Sequence, residues 1–393
     1  MIEGYVFEWL NFLGRGLHVV AGIAWIGASF YFVWLDDHLR PAADDAARGR
    51  GVGGELWAVH GGGFYHAQKY TGAPPALPPV LHWFKWEAYT TLLSGLFLLV
   101  VVYYLHAGLY LVDPAVAPLS TPVAVAAGVA WIAGGWIVYD VLCRMLGPRD
   151  RALAMALALF CGVAAYAMCR MFSGRAAYLH FGAMLGTIMV LNVFFAIIPA
   201  QRAMVKAVAE GRAPDIARAM RARQRSVHNT YFTLPAVFAM ISIHYAWLTT
   251  AEMNWLWLVT VSAAGALVRA WFVARHRGRA PAWMLVAAAV LLLATAYGAR
   301  PRVVANPWGS APDRTQEIVA QRCAPCHSAT PRFAGIAAAP KGIALDDTAQ
   351  LRANAGIARA QLSSRAMPPG NVTGLTDEER AALIAWIDEP HGR

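Results

Sequence analysis

The most constraining feature of this sequence is a succession of apolar stretches, each close to the length of helix that crosses the hydrocarbon core of a bilayer, about 20 residues. Eight occur, near Trp9 to Leu35, Phe84 to Tyr104, Pro122 to Leu142, Ala152 to Phe172, Ala177 to Ile198, Tyr231 to Leu248, Asn254 to Ala274 and Ala282 to Gly298. Backbone in lipid must satisfy its own polar groups, so such stretches predict helices and an all-α chain, a polytopic transmembrane bundle of about eight spans. The composition agrees, because 58% hydrophobic and 14% charged residues give more apolar surface than a soluble fold of 393 residues can bury.

A formal net charge of +10 raises the question of nucleic acid. The basic residues instead sit in short loops between apolar stretches, which is a topology signal, so no nucleic-acid partner is expected. Arg202, Lys206, Arg212, Arg218, Arg221, Arg223 and Arg225 fill one connection, and Arg275, Arg277 and Arg279 fill another. Lysine- and arginine-rich loops stay in the cytoplasm, and eight spans then place both termini outside it. Residues 1–8 hold acids and no basic run before the first apolar stretch, so no cleaved signal peptide is expected. The expected location is the bacterial inner membrane, multi-pass, in contact with lipid, with the tail on the periplasmic side. The connection from Asp36 to Trp83 is too long for a plain connector and reads as a segment folded over the membrane surface.

Of five cysteines, Cys143, Cys161 and Cys169 lie inside apolar stretches and read as small packing residues. Cys323-Ala324-Pro325-Cys326-His327 fits C-x-x-C-H, in which two thiols one helical turn apart attach haem c and the next histidine binds its iron. After His327 the tail has one methionine, Met367, and one further histidine, His391. Met367 precedes Pro368 and Pro369, which stiffen its loop, so its thioether is the expected sixth iron ligand. Thr376 and Glu379 are spaced as a capping box opening a last helix, whose Leu383, Trp386 and Ile387 share a face that should pack on the helix leading into Cys323. The tail resembles the small class I cytochromes c. The expected division is a membrane domain over 1–299, a linker over 300–313 and a cytochrome domain over 314–393.

An ionisable side chain inside a span is a functional candidate, since burying it unpaired is costly. His18, His180 and His244 lie within or at the edges of spans, with His106 at a further edge. They can ligate a b-type haem or hydrogen-bond neighbouring helices, and both readings stay open. A second group, toward the expected cytoplasmic face, comprises His60, His66, His82, Lys85, Glu87, Arg225, His228 and Asn229, interleaved with Trp83, Phe84 and Trp86. Aromatic faces beside cations and amides suit a planar anionic heterocycle, while tryptophan and lysine are also ordinary interface anchors. His60-Gly61-Gly62-Gly63 looks like an esterase oxyanion loop, but the sequence has no G-x-S-x-G elbow, and no glycine run matches a nucleotide loop.

Four long strings carry a resemblance: GRGLHVVAGIAWIGASFYFVWLDDHL from Gly14, LHWFKWEAYTTLLSG from Leu81, HFGAMLGTIMVLNVFFAIIPAQ from His180 and RSVHNTYFTLPAVFAMISIHY from Arg225. Together with the C-x-x-C-H tail, they resemble the membrane-bound bacterial urate hydroxylases over nearly the whole chain. The resemblance implies oxidation of urate to 5-hydroxyisourate with oxygen from water and electrons passed to the fused cytochrome, not to dioxygen. A respiratory cytochrome or terminal oxidase would follow. In that reading Lys85 or Arg225 offsets the substrate charge, and His66, His82 or His228 takes protons, with Glu87 and Asn229 beside them. The alternative is a quinol-to-cytochrome shuttle without urate chemistry.

Overall fold

The computed structural model describes residues 2–300, 304–309, 311–333, 336 and 338–389, so His391 lies outside the described residues. Among the described residues the regular structure is helical apart from one hairpin. Helix α1 runs Ile2–His38. Strands β1 (Val52–His60) and β2 (Gly63–Tyr70) pair antiparallel, joined by Gly61 and Gly62 with φ of +56° and +80°. A two-residue turn matched to strand twist needs positive φ at both positions, and glycine supplies it without steric cost. The sequence reading treated this segment as surface connection and did not anticipate strands. Both faces carry exposed residues, so the inside–outside alternation that marks a strand is weak.

The membrane bundle continues with α2 (Trp86–Leu98), α3 (Thr121–Leu146), α4 (Asp150–Cys169), α5 (Gly174–Asn192), α6 (Ile216–Ile241), α7 (Asn254–His276) and α8 (Ala282–Gly298). Helix α2 passes into a π-turn to Tyr104, and α5 passes through a π-segment into Ile198–Ala209. Among the described residues six helices are long and apolar enough to cross a membrane: α1, α2, α3, α4, α5 and α7 with their extensions. The other two expected spans differ. Helix α8 has 17 residues, roughly 25 Å, somewhat short of a typical core. The stretch Tyr231 to Leu248 is the second part of α6 followed by the short turns Ser242–His244 and Ala246–Thr249. The first half of α6 is rich in arginine, which lowers the hydropathy of the whole helix. Asp215 starts α6 early by accepting from the Arg218 N–H at 3.0 Å.

Helix α5 is the hub, packed against α3, α4 and α6 and against α2. Small residues permit these approaches: Gly135 faces Met184, and Gly182 faces Ala239, where an added Cβ would come within 3.1 Å. One end of the bundle carries the connection Gln201–Arg225 and the loop after α7, and is called the basic end below. The opposite end carries Ala107–Tyr110, Ser173 and the exit of α8, and is the tail end.

The tail contains α9 (Pro312–Ile318), a π-turn to Cys323, the short helix Ala324–His327, then α10 (Thr348–Ala353), α11 (Ala355–Ser363) and α12 (Asp377–Asp388). Ile318, Val319, Leu351, Leu362, Leu383 and Trp386 form its core, so α12 packs on the helix leading to Cys323 as its apolar face predicted. Thr376 and Glu379 make the reciprocal capping box.

Candidate functional site

A cavity of about 1530 Å³ lies among α3, α4, α5, α6 and α7. Arg144, Asp150, Arg218, Arg221 and Arg223 line it toward the basic end, and Phe181, Leu185, Leu157 and Val259 line its apolar reach toward the tail end. Between them the wall is polar. The guanidinium of Arg225, 8% exposed, donates from Nη2 to Asp140 Oδ1 at 2.6 Å and from Nη1 to Asn192 Oδ1 at 3.4 Å, and lies 4.9 Å from the Tyr139 ring centroid. Arg144 Nε holds the other Asp140 oxygen at 2.6 Å. A buried arginine is stable here because its charge is paired and its fork is used.

The amides can be oriented from the backbone. Asn229 Nδ2 donates to the Met189 carbonyl at 2.9 Å, so its Oδ1 faces Asn192 Nδ2 at 3.0 Å. Asn192 Nδ2 also donates to the Tyr139 hydroxyl oxygen at 2.9 Å. That hydroxyl meets His228 Nδ1 at 2.8 Å and has one proton and one lone pair left for it. It therefore holds either neutral tautomer of His228 in the same ring position, and Nε2 can both take and give a proton.

Of the expected catalytic residues, the structure brings Arg225, His228 and Asn229 together on one face of α6. His66, His82, Lys85 and Glu87 do not line this cavity. His66 is on β2, stacked on Trp57 with 4.1 Å between centroids and bonded to Glu55 at 2.9 Å. His82 is exposed with its ring against Phe84, while Lys85 lies 5.2 Å from the Trp86 ring and Glu87 sits in the first turn of α2. Tyr139, Asp140 and Asn192 were missed by the sequence reading. The signal available was the placement of an aspartate in the apolar stretch of α3 and an asparagine in that of α5. Cys143, read as a packing residue, is buried in the cavity wall with its sulfur 3.8 Å from His228 Nδ1.

In the tail, His327 Nδ1 meets the Ile343 carbonyl at 2.9 Å, which fixes the ring and leaves Nε2 free. Arg380 Nη1 donates to the Met367 carbonyl at 2.8 Å and to that of Leu362 at 3.1 Å, pinning the methionine loop to α12.

The family model for the urate oxidase N-terminal domain matches residues 4–299. The chain belongs to this family. A second model, cytochrome c oxidase, cbb3-type, subunit III, matches residues 310–387, so the tail is a c-type cytochrome domain. No curated protein and no solved structure gives a significant match. Membership in the family, joined to a cytochrome domain, makes the protein an oxidoreductase of urate-related redox chemistry.

A cytochrome c domain implies covalent haem c, and the residues present fit it. Cys323 and Cys326 flank one turn of chain, His327 offers a free Nε2, and Met367 lies on a braced loop. The residues expected for a b-type haem do not fit. His180 is fully buried, Nδ1 meets the Ala176 carbonyl at 2.8 Å, and Nε2 meets the Tyr104 hydroxyl at 3.1 Å. A Cβ on Gly128 would come 2.7 Å from that Nε2, so α3 already occupies the space a porphyrin needs. His18 bonds Thr91 and Ser94 of α2, and His244 is exposed in the turn after α6. Among the described residues no group of three His, Cys, Asp or Glu is placed to hold a metal ion.

Glu379 braces the attachment segment, accepting from Arg322 Nε at 2.9 Å and Nη2 at 3.1 Å while closing the capping box. Burial raises its pKa, but the hydrogen bonds from Arg322 and the Thr376 N–H, with the charges of Arg322 and Arg314, outweigh that and hold it below the ordinary 4.5. A lowered folded pKa adds stability that is full above the unfolded value and fades as pH falls through the folded one. Glu379→Gln is expected to cost the cytochrome domain about 2 kcal/mol at neutral pH and to flatten its acid unfolding below about pH 4, read by circular dichroism.

Proposed function

We propose that this protein oxidises urate: urate and water give 5-hydroxyisourate, two protons and two electrons, and the electrons pass one at a time to haem c. The observation that carries the reading is the paired Arg225 in a cavity wall with Asn192 and His228, Asn229 bracing Asn192 from behind, in one chain with a c-type cytochrome. Urate is a planar anion whose rim alternates N–H and C=O groups, and amides beside a guanidinium match both. The arginines at the mouth draw an anion in.

Arg225 and Asn192 bind and orient the purine rim, with Asn229 positioning Asn192. His228 takes a proton at Nε2 from the water that forms the bond to C5, and Tyr139 compensates at Nδ1. The apolar reach toward Phe181 keeps bulk water from the far side. Cys323 and Cys326 would hold haem c, with His327 and Met367 offered to its iron, and the group would supply a one-electron acceptor.

The charge distribution supports a bacterial cell membrane setting with the basic end in the cytoplasm and the cytochrome in the periplasm, where a respiratory cytochrome or terminal oxidase takes the electrons. Dioxygen is then not consumed. The quinol-shuttle alternative is favoured by one observation, the size and apolar walls of the cavity, which exceed what urate needs.

The test is anaerobic reduction of the haem in the purified chain. Urate should reduce it and quinol alone should not. His228→Asn should slow urate-driven reduction by about a hundredfold or more while His82→Asn leaves it within about threefold. Reduction by quinol alone, or the reverse ranking of the two variants, overturns this assignment.

A further inference from the structure

Gly370, three positions after Met367, is seated on the tail end of the membrane domain. Its φ is +56°, and a Cβ there would lie 3.4 Å from the Leu109 carbonyl oxygen, 3.6 Å from Ser173 Cβ and 3.8 Å from the Val112 carbonyl oxygen. The turn Pro369–Asn371 thus rests on a shelf made by Ala107–Val112 and Ser173. The shelf is braced from below. Ser173 Oγ donates to the Tyr110 carbonyl at 2.7 Å and caps α5 through the Ala176 N–H at 3.3 Å, and the Ser173 N–H bonds the Leu111 carbonyl at 3.0 Å.

Directly beneath lies a packed aromatic layer. His180 has Phe172 at 5.1 Å, Tyr104 at 5.7 Å and Tyr103 at 6.4 Å between ring centroids, and Tyr103 has Tyr110 at 5.9 Å. Phe172 precedes shelf residue Ser173, and Phe181, next to His180, lines the cavity. Ser173 and Phe181 are eight positions apart on one helix, about 12 Å. A covalent and close-packed path therefore joins the apolar reach of the cavity to the loop that carries Met367.

We propose that this shelf is the electron-transfer interface between the two domains, with the methionine side of the cytochrome facing the membrane domain, and Gly370 and Ser173 acting as positioning residues. The proposal rests on the urate reading only for the source of the electrons. Each electron leaves the substrate side of the membrane domain and reduces one ferric haem to ferrous. The aromatic side chains keep their own oxidation state and serve as the medium between the two. The positive φ at position 370 favours glycine, and a Cβ there would already touch the shelf at van der Waals distance, so the further atoms of a longer side chain must fit between the two surfaces.

Two measurements on the intact, haem-loaded chain in membranes test it. A photo-crosslinking amino acid at Leu109 should give, by mass spectrometry, products with the peptide that contains residues 367–373; products only with other tail peptides would overturn the interface. Gly370→Asn keeps a residue that tolerates positive φ but adds a side chain at the contact. It should abolish those products and slow haem reduction by urate at least tenfold in single turnover. The thioether-to-iron absorption band and reduction by dithionite should be unchanged. Unchanged crosslinking and rate in Gly370→Asn would refute the proposal, and so would loss of the band with the rate, because the effect would then lie in the methionine loop itself. Crosslinking as expected in a chain whose haem urate never reduces would leave this interface standing and remove the urate assignment instead.

Discussion

Replacing Arg225 with glutamine is expected to reduce urate-driven haem reduction by a factor of about 100 or more, with little change in reduction by dithionite. The guanidinium ties Asp140 to Asn192, and in the proposed complex it carries the positive charge nearest the purine rim. Removing it also leaves Asp140, which is half-buried, with the largely exposed Arg144 as its remaining cation. Breaking one side of such a pair costs about 3 kcal/mol, so the single variant should also melt earlier. The double variant Arg225→Gln with Asp140→Asn removes both charges and should recover most of the lost stability. Activity should stay low in the double variant. Recovery of activity along with stability would mean that the pair is a strut and that urate is held elsewhere.

The second large effect is expected from Cys323→Ser combined with Cys326→Ser. Without the two thiols no thioether links can form, so a denatured sample should carry no covalently bound haem by peroxidase staining or intact mass, and urate-driven electron output should vanish. Urate binding to the membrane domain should persist with its Kd changed by less than about threefold, because the cavity is built from α3 to α7 and none of the described tail residues lines it. Loss of urate binding in this variant would place part of the substrate site in the tail.

Much of this architecture was legible from residue patterns, for reasons that differ by element. The apolar stretches marked six membrane helices because hydrocarbon tolerates little else. The stretch at Tyr231 was harder, since α6 is one helix that begins in an arginine-rich segment and includes Pro235, so hydropathy reported only its second part. The tail was legible because C-x-x-C-H, the methionine before two prolines and the capping box are local patterns whose chemistry fixes their spacing. The membrane site was only partly so. Arg225, His228 and Asn229 share a helix face and could be grouped by spacing, but their partners Tyr139, Asp140 and Asn192 come from two other helices. Only packing around α5 brings those together. His66 and His82 were grouped with them by expected depth alone, and depth does not say which side of the bundle a residue occupies.

Helix α5 and its continuation form one rod from Gly174 to Ala209, 36 residues and about 54 Å long. Its first turn supports the shelf under Gly370, and Asn192, farther along, completes the polar wall. A rod of that length is a lever: pivoted at Asn192, about 27 Å from its first turn, a tilt of about 5° displaces that turn by roughly 2 Å. Loosening the clasp on Asn192, midway along the rod, is therefore expected to register as a slower electron exit at the shelf.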